Sequence, residues 1–265
     1  MTGRDEAVDV VIGGASGMGA AVAARIKGPR RMILADKDAH AAERVAASLG
    51  RRVDAVGCDI TDPAGCVALA SKVGRLASLV MTAGLSPTMA RGERIFDVNL
   101  VGTARVLHAF DDAVGEGTTG VLFSSTAAHM LVPPSEVATV LDDPLAPDLV
   151  GRLRAAGVDA SEPAIAYAFS KAGVIRLVRR TAPSWWARGA RILSLSPGII
   201  DTPMGRQELE HQPVMKGMVD VVGRLGTAEE VSAVVRFLLS DGASLMTGSD
   251  VLVDGGIIAL TSGAR

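Results

Sequence analysis

The chain of 265 residues sets 27 Lys and Arg against 29 Asp and Glu, a formal charge of -2 that offers no field to nucleic acid or an anionic membrane. Hydrophobic residues make up 48% and aromatic ones only 3%, so the core must be built from Ala, Val, Leu and Ile, and no apolar run reaches membrane-span length. Cys58 and Cys66 have no Cys or His companions at ligand spacing, which argues against a metal site and for reduced thiols in a cytoplasmic protein.

The start of the chain, with Arg4, Asp5 and Glu6, does not read as a signal segment. From there, short aliphatic runs at 8–13, 31–36, 52–58, 78–82, 120–125, 191–196 and 249–253 predict strands. Ala-rich stretches at 17–27, 39–49, 64–74, 96–114, 163–187 and 228–239 predict helices between them. This alternation is the pattern of βαβ units around a parallel sheet. Pro163 suits a first helical turn, and Thr227 before Glu229 and Glu230 reads as a helix N-cap. No polar linker divides the chain, so residues 1–265 read as one domain. Two stretches break the rhythm. Residues 127–162 hold Pro133-Pro134 and a predicted helix at 147–156, and residues 203–226 scatter Met204, Met215 and Met218 among charges with little regular periodicity. Long excursions of this kind serve as lids, binding loops or contact surfaces.

Directly after the first strand comes Gly13-Gly14-Ala15-Ser16-Gly17-Met18-Gly19, leading into a helix. Glycines there allow a tight turn and close backbone approach, and the helix N-terminus offers free N–H groups to a pyrophosphate; a purely structural turn is the alternative. Asp36 ends the second strand 17 residues beyond Gly19, where a carboxylate can hold both ribose hydroxyls of NAD and repel the 2′-phosphate of NADP. Arg30, Arg31 and Lys37 lie close in sequence, so NADP is disfavoured rather than excluded, and Asp36 could instead cap a helix. Asp59, ending the third strand, reads equally as an Asx-turn residue or as a contact to adenine.

The only tyrosine of the chain, Tyr167, precedes Lys171 by four residues. One helical turn apart, phenol and ammonium share a face, and a cation beside a phenol lowers its pKa toward the neutral range. Taken alone, the pair reads more simply as a surface Tyr with a solvated Lys. Joined in order with the glycine turn, Asp36 and Asp59, it makes the chain resemble the classical short-chain dehydrogenase/reductase family over nearly its whole length. Thr82-Ala83-Gly84, Asn99 within Val98–Thr103, Ser125, the run from Ser196 to Met204 and Val253-Asp254-Gly255-Gly256 carry the resemblance further.

That resemblance implies a Rossmann-like, doubly wound, parallel sheet of seven strands in a single α/β domain, with an insertion between Ser125 and Tyr167. It implies a Ser-Tyr-Lys-Asn tetrad at Ser125, Tyr167, Lys171 and Asn99, with Tyr167 as proton carrier, Lys171 tuning it, Ser125 on the substrate oxygen and Asn99 anchoring a water. The implied cofactor, NAD, would be held by Gly13, Ala15, Ser16, Gly17, Met18, Gly19, Asp36, Lys37, Asp59, Ile60, Thr82, Ala83, Gly84, Tyr167, Lys171, Pro197, Gly198, Ile200 and Thr202. A small alcohol or ketone would meet Ser125, His129, Met130, Tyr167 and Met204, and no metal is implied. Family members commonly pair the Tyr-bearing helix across subunits, so a homodimer or homotetramer is expected.

Three departures stand out. Ile12 and Met81 replace turn-buttressing polar residues of the family pattern; the stretch from Gly84 to Asn99 is short, suggesting a reduced helix; and 42 residues separate Ser125 from Tyr167, more than in the commonest members. With Ala83-Gly84-Leu85, this combination is similar to the bacterial 3α-hydroxysteroid dehydrogenase/carbonyl reductases. Two alternatives stay open: an NADPH-using acyl-thioester ketoreductase, which Asp36 disfavours, and a catalytically idle NAD-binding regulatory protein, which the complete tetrad disfavours.

Overall fold

The computed structural model describes residues 6–50 and 52–262; the sequence reading of residues 1–5 lies outside them. Seven strands, β1 (Ala7–Ile12), β2 (Met32–Asp36), β3 (Val53–Gly57), β4 (Arg75–Met81), β5 (Thr119–Phe123), β6 (Arg191–Pro197) and β7 (Asp250–Val253), pair in the order β3-β2-β1-β4-β5-β6-β7. Every pairing is parallel. A parallel sheet is covered on both faces, which is why these strands are near-continuous apolar runs. Along β1 the alternation sends Val8, Val10 and Ile12 to one core and Val11 to the other.

The first face is covered by α3 (Pro63–Ala70), α5 (Thr103–Phe110) and α9 (Pro163–Trp186), through residues such as Leu69, Phe110, Val178 and Trp185. The second is covered by α1 (Gly17–Arg25), α2 (Ala39–Ser48) and α12 (Ala228–Leu238), through Val22, Ala42 and Val235. Local chemistry sets where these helices begin. Asp38 accepts from Ala41 N at 2.9 Å and Asp62 from Ala64 N at 3.0 Å, while Thr227 and Glu230 form a reciprocal capping box. The chain runs outward from β1 through β3, then returns beyond β1 to β4. The crevice at that reversal, outside the C-terminal strand ends, is where such sheets bind ligands.

The stretch from Gly84 to Asn99 holds only the five-residue helix α4 (Gly92–Phe96), in line with its shortness. It runs on into a π-helical turn, Asp97–Gly102, that carries Asn99 and splits the helix expected at 96–114. The insertion folds as α6 (Ala127–Met130), α7 (Ser135–Leu141) and α8 (Leu149–Ala155). Val137, Leu141, Leu149 and Leu153 bury against Ile95, Phe96, Leu100, Ala166 and Phe169, a third small core outside the sheet. Arg176 of α9 grips Asp142 with bonds of 2.7 and 2.6 Å, tying the insertion down.

Residues 203–226 are more regular than their composition suggests: they form α10 (Pro203–His211) and α11 (Pro213–Val222), each opening on a proline in its first turn. Thr202 caps α10, its Oγ1 accepting from Gly205 N at 3.1 Å. A short α13 (Ile257–Ser262) follows β7. No helix among the described residues is long and apolar enough to cross a membrane.

Candidate active site

A cavity of ≈ 450 Å³ runs along the C-terminal strand ends, from Asp36 and Lys37 at one extreme to Met204, Met215 and Met218 at the other. Of the expected cofactor residues, all but Ala15 line it. Gly13 turns the chain at φ +83, and a Cβ there would lie 2.4 Å from Ala83 N, so only glycine fits both the backbone and the space. Thr82 Oγ1 lies 2.9 Å from Ile12 O and 3.0 Å from Gly13 O, and its one hydrogen is shared between these carbonyls. Thr82 thereby supplies the buttress that Ile12 and Met81, both buried in the core, cannot. Ser16 precedes α1 without a side-chain cap, so the first N–H groups of that helix face the cavity unsatisfied by it.

Asp36 is already organised: Oδ2 accepts from Ala15 N at 3.0 Å and Oδ1 from Asp38 N at 3.1 Å. Arg31 is tied to Asp54 at the opposite, N-terminal end of β2, and Arg30 lies 3.6 Å from Asp9, so of the three nearby cations only Lys37 borders the cavity. Asp59 forms the Asx turn at the cavity's edge. Its Oδ1 accepts from Thr61 N at 2.9 Å as an Asx turn, and these bonds pull its pKa down, yet it also lines the cavity beside Ile60.

Tyr167 and Lys171 stand one turn apart on α9, with Nζ 5.9 Å from the ring centroid. Lys171 Nζ donates to Phe123 O at 2.9 Å, and burial pulls its pKa down to about 8, against the opposing charge of Glu208. For Tyr167 the expectation of a lowered phenol is corrected. Burial pushes it above the ordinary tyrosine value, the Glu208 charge pushes the same way, and a side-chain hydrogen bond with Ser125 only partly opposes them. The physical reason is that the packed protein withholds water from the phenolate and the Glu208 carboxylate opposes a second negative charge.

Ser125 follows β5, is nearly buried, and accepts from Ala127 N at 3.2 Å. Asn99 does not line the cavity; its Oδ1 accepts from Leu85 N at 2.7 Å and its Nδ2 donates to Leu85 O at 3.0 Å, pinning the segment after Gly84. Its carbonyl accepts from Thr103 Oγ1 at 2.8 Å within the π-helical turn. Turns of that type disturb the regular ladder and recur at functional sites. Gly84 sits between these groups: a Cβ there would lie 3.2 Å from Asn99 Oδ1 and 3.3 Å from Lys171 Nζ.

Toward the methionine end, Ser125, Tyr167, Met130 and Met204 share the cavity wall, but His129 does not. Its Nε2 lies 2.8 Å from Asp250 Oδ2 and 3.3 Å from Ser196 Oγ, so the buried acid at the start of β7 holds the ring away from the cavity. The sequence reading also missed a residue. Glu208 of α10 lines the wall and is the charged side chain whose field acts on both Tyr167 and Lys171. Burial raises its carboxyl to about 7, with Lys171 pulling the other way. Its four-residue spacing from Met204 was the available signal.

Residues 7–137 match the family model for short chain dehydrogenase, and residues 153–258 match the model described as enoyl-(acyl carrier protein) reductase. The chain is 34% identical to the short-chain dehydrogenase/reductase bsc3 of Alternaria brassicicola, covering 96% of each. It is 30% identical to D-threitol dehydrogenase of Mycolicibacterium smegmatis, covering 95% of this chain and 93% of the relative. Its structure is similar to the 3-alpha-hydroxysteroid dehydrogenase of Pseudomonas sp. B-0831 complexed with NADH, with a TM-score of 0.78 and 28% identity, over 98% of this chain and 100% of that one. With the parallel seven-stranded sheet, the glycine turn and the Tyr167–Lys171 pair, these matches mean that the chain belongs to the short-chain dehydrogenase/reductase family of oxidoreductases acting on alcohols.

Proposed function

We propose that this protein interconverts a secondary alcohol and a ketone or aldehyde using NAD. The observation that carries the reading is the convergence of Ser125, Tyr167 and Lys171 on one cavity whose far end is bounded by Asp36. The N–H groups opening α1 and the backbone exposed at Gly13, Ala83 and Gly84 suit a dinucleotide, and the nicotinamide ring, when bound, supplies hydride chemistry. Asp36 favours two ribose hydroxyls over a 2′-phosphate, and the anchoring of Arg30 and Arg31 elsewhere supports NAD over NADP.

The chain's own part is the proton and the geometry. Tyr167 exchanges a proton with the substrate oxygen, Ser125 hydrogen-bonds that oxygen and steadies its charge, and Lys171 holds a cation near the phenol. Asn99 holds Leu85 in place behind them. A D-threitol dehydrogenase and a hydroxysteroid dehydrogenase among its relatives fit alcohol oxidation while differing in substrate polarity. The test is a screen of secondary alcohols with NAD and NADP in parallel, with Tyr167→Phe as control. NAD-linked turnover falling about 10²–10⁴-fold in the variant, with NADH affinity kept, is expected. Retained turnover in Tyr167→Phe, or preference for NADP, overturns the corresponding part of the reading.

A further inference from the structure

Most of the substrate end of the cavity is apolar: Leu85, Met130, Met204, Met215 and Met218 line it. On the side of α10 and α11 two polar side chains interrupt that wall: Glu208, one turn beyond Met204 in α10, and Gln212, in the extended junction between the two helices. Glu208 is the unusual one. It is half-buried, and among the described residues its carboxylate has neither hydrogen-bond nor ion-pair partner. An unpaired carboxylate set into an apolar wall costs desolvation free energy that a donor in the bound molecule would offset.

A solvated surface acid is the simpler alternative for a glutamate amid Arg206, Gln207 and Glu210. Its place on the cavity wall, opposite the proton-carrying pair, argues otherwise. The donor it would accept is better neutral than cationic, because Lys171 already places a positive charge across the same space and would repel a second one.

We propose that Glu208 is a specificity-determining residue that accepts a hydrogen bond from a second hydroxyl of the substrate, so that the enzyme selects diols or polyols over mono-alcohols of the same carbon frame. Gln212, on the same cavity wall at the junction of α10 and α11, adds a second polar group for a longer hydroxylated substrate. This rests on the alcohol-dehydrogenase reading above and names the substrate class of that site.

The experiment compares cyclohexanol with the 1,2-, 1,3- and 1,4-cyclohexanediols in NAD-linked turnover by wild type, Glu208→Leu and Glu208→Gln, with NADH binding by fluorescence as a check on folding. Wild type is expected to favour at least one diol by about 10- to 100-fold in kcat/KM, the size of a hydrogen bond to a charged acceptor. Glu208→Leu should collapse that ratio, mainly through KM for the diol, and Glu208→Gln, which keeps an acceptor, should retain part of it. Turnover without a diol preference, or a preference unchanged in Glu208→Leu, overturns the role of Glu208 and leaves the dehydrogenase standing. No turnover of any of the four alcohols by wild type that binds NADH overturns the dehydrogenase reading and this inference together.

Discussion

Replacing Glu208 by Gln should change how stability depends on pH, and the sign follows from the site. Burial raises the carboxyl from 4.5 to about 7, with Lys171 opposing. Between those values the unfolded chain has released a proton that the folded chain still holds, so wild-type stability falls as pH rises through this window. The cost is absent below about pH 4.5 and complete above about pH 7. A shift of this size corresponds to at most about 3 kcal/mol, and the solvent that still reaches the half-buried side chain reduces it to roughly 1–2 kcal/mol. Gln carries no such penalty. Lys171 works in a higher window: its pKa falls from 10.5 to about 8, so stability rises with pH between those values, and Glu208→Gln, which removes the carboxylate that holds this pKa up, extends the window downward. Urea unfolding of cofactor-free protein, followed by tryptophan fluorescence with Trp185 buried in the core, reads the difference. The variant should match wild type near pH 4.5 and exceed it by roughly 1–2 kcal/mol at about pH 7.5. A difference that stays flat across this range would refute the reasoning, because it would mean that the carboxylate is as well solvated in the fold as outside it.

Gly84→Ala should lower kcat about tenfold or more, since the added methyl, 3.2 Å from Asn99 Oδ1 and 3.3 Å from Lys171 Nζ, displaces the ammonium from its place beside Tyr167. Steady-state kinetics with unchanged kcat would show that the site absorbs the methyl without moving. Because Tyr167 is the chain's only tyrosine, near-ultraviolet difference absorbance against pH reports its ionisation alone, and phenolate should form only above the ordinary value of ~10 in the folded, cofactor-free protein. Ionisation below that value would refute the dominance of burial over the nearby cation.

What the sequence discloses and what it conceals differ by the range of the interaction. All seven strands are legible, the five inner ones because a parallel strand buried on both faces needs an apolar run, which Val10, Ile33, Leu79 and Leu193 supply locally. Gly13 and Asp36 are legible because a tight turn and a strand-end acid are sequence-local devices. Residues 203–226 are misread as irregular since methionines among charges mask the period, although Pro203 and Pro213 each mark a first helical turn. The π-helical turn at Asn99 leaves no trace in residue type. Glu208 and His129 fail for a shared reason and in opposite directions. A glutamate on a charged helix looks solvated until the fold sets α10 across the cavity from Tyr167 and Lys171, and a histidine four residues beyond Ser125 looks available until Asp250, 121 residues away, takes its ring.

The end of β5 explains how the insertion is tolerated beside the reacting groups. Two successive residues fix α9: Phe123 O accepts from Lys171 Nζ at 2.9 Å, and Ser124 Oγ donates to Lys171 O at 2.9 Å. Helix and strand are thus registered by contacts that do not involve the chain between them. Groups carried on such elements are held more tightly than groups on loops. Lengthening a connection whose ends are already held costs little, about 0.6 kcal/mol per doubling of loop length. Residues 126–162, which join Ser125 to α9, recover that and more, by the scale of side-chain burial, through the small core around Leu141, Leu153 and Phe169. Only the first turn of the insertion, Ala127 and Met130, reaches the cavity. The insertion can therefore reshape the substrate wall through that turn while α7, bound to α9 through Asp142 and Arg176, leaves the spacing of Ser125, Tyr167 and Lys171 to the strand end.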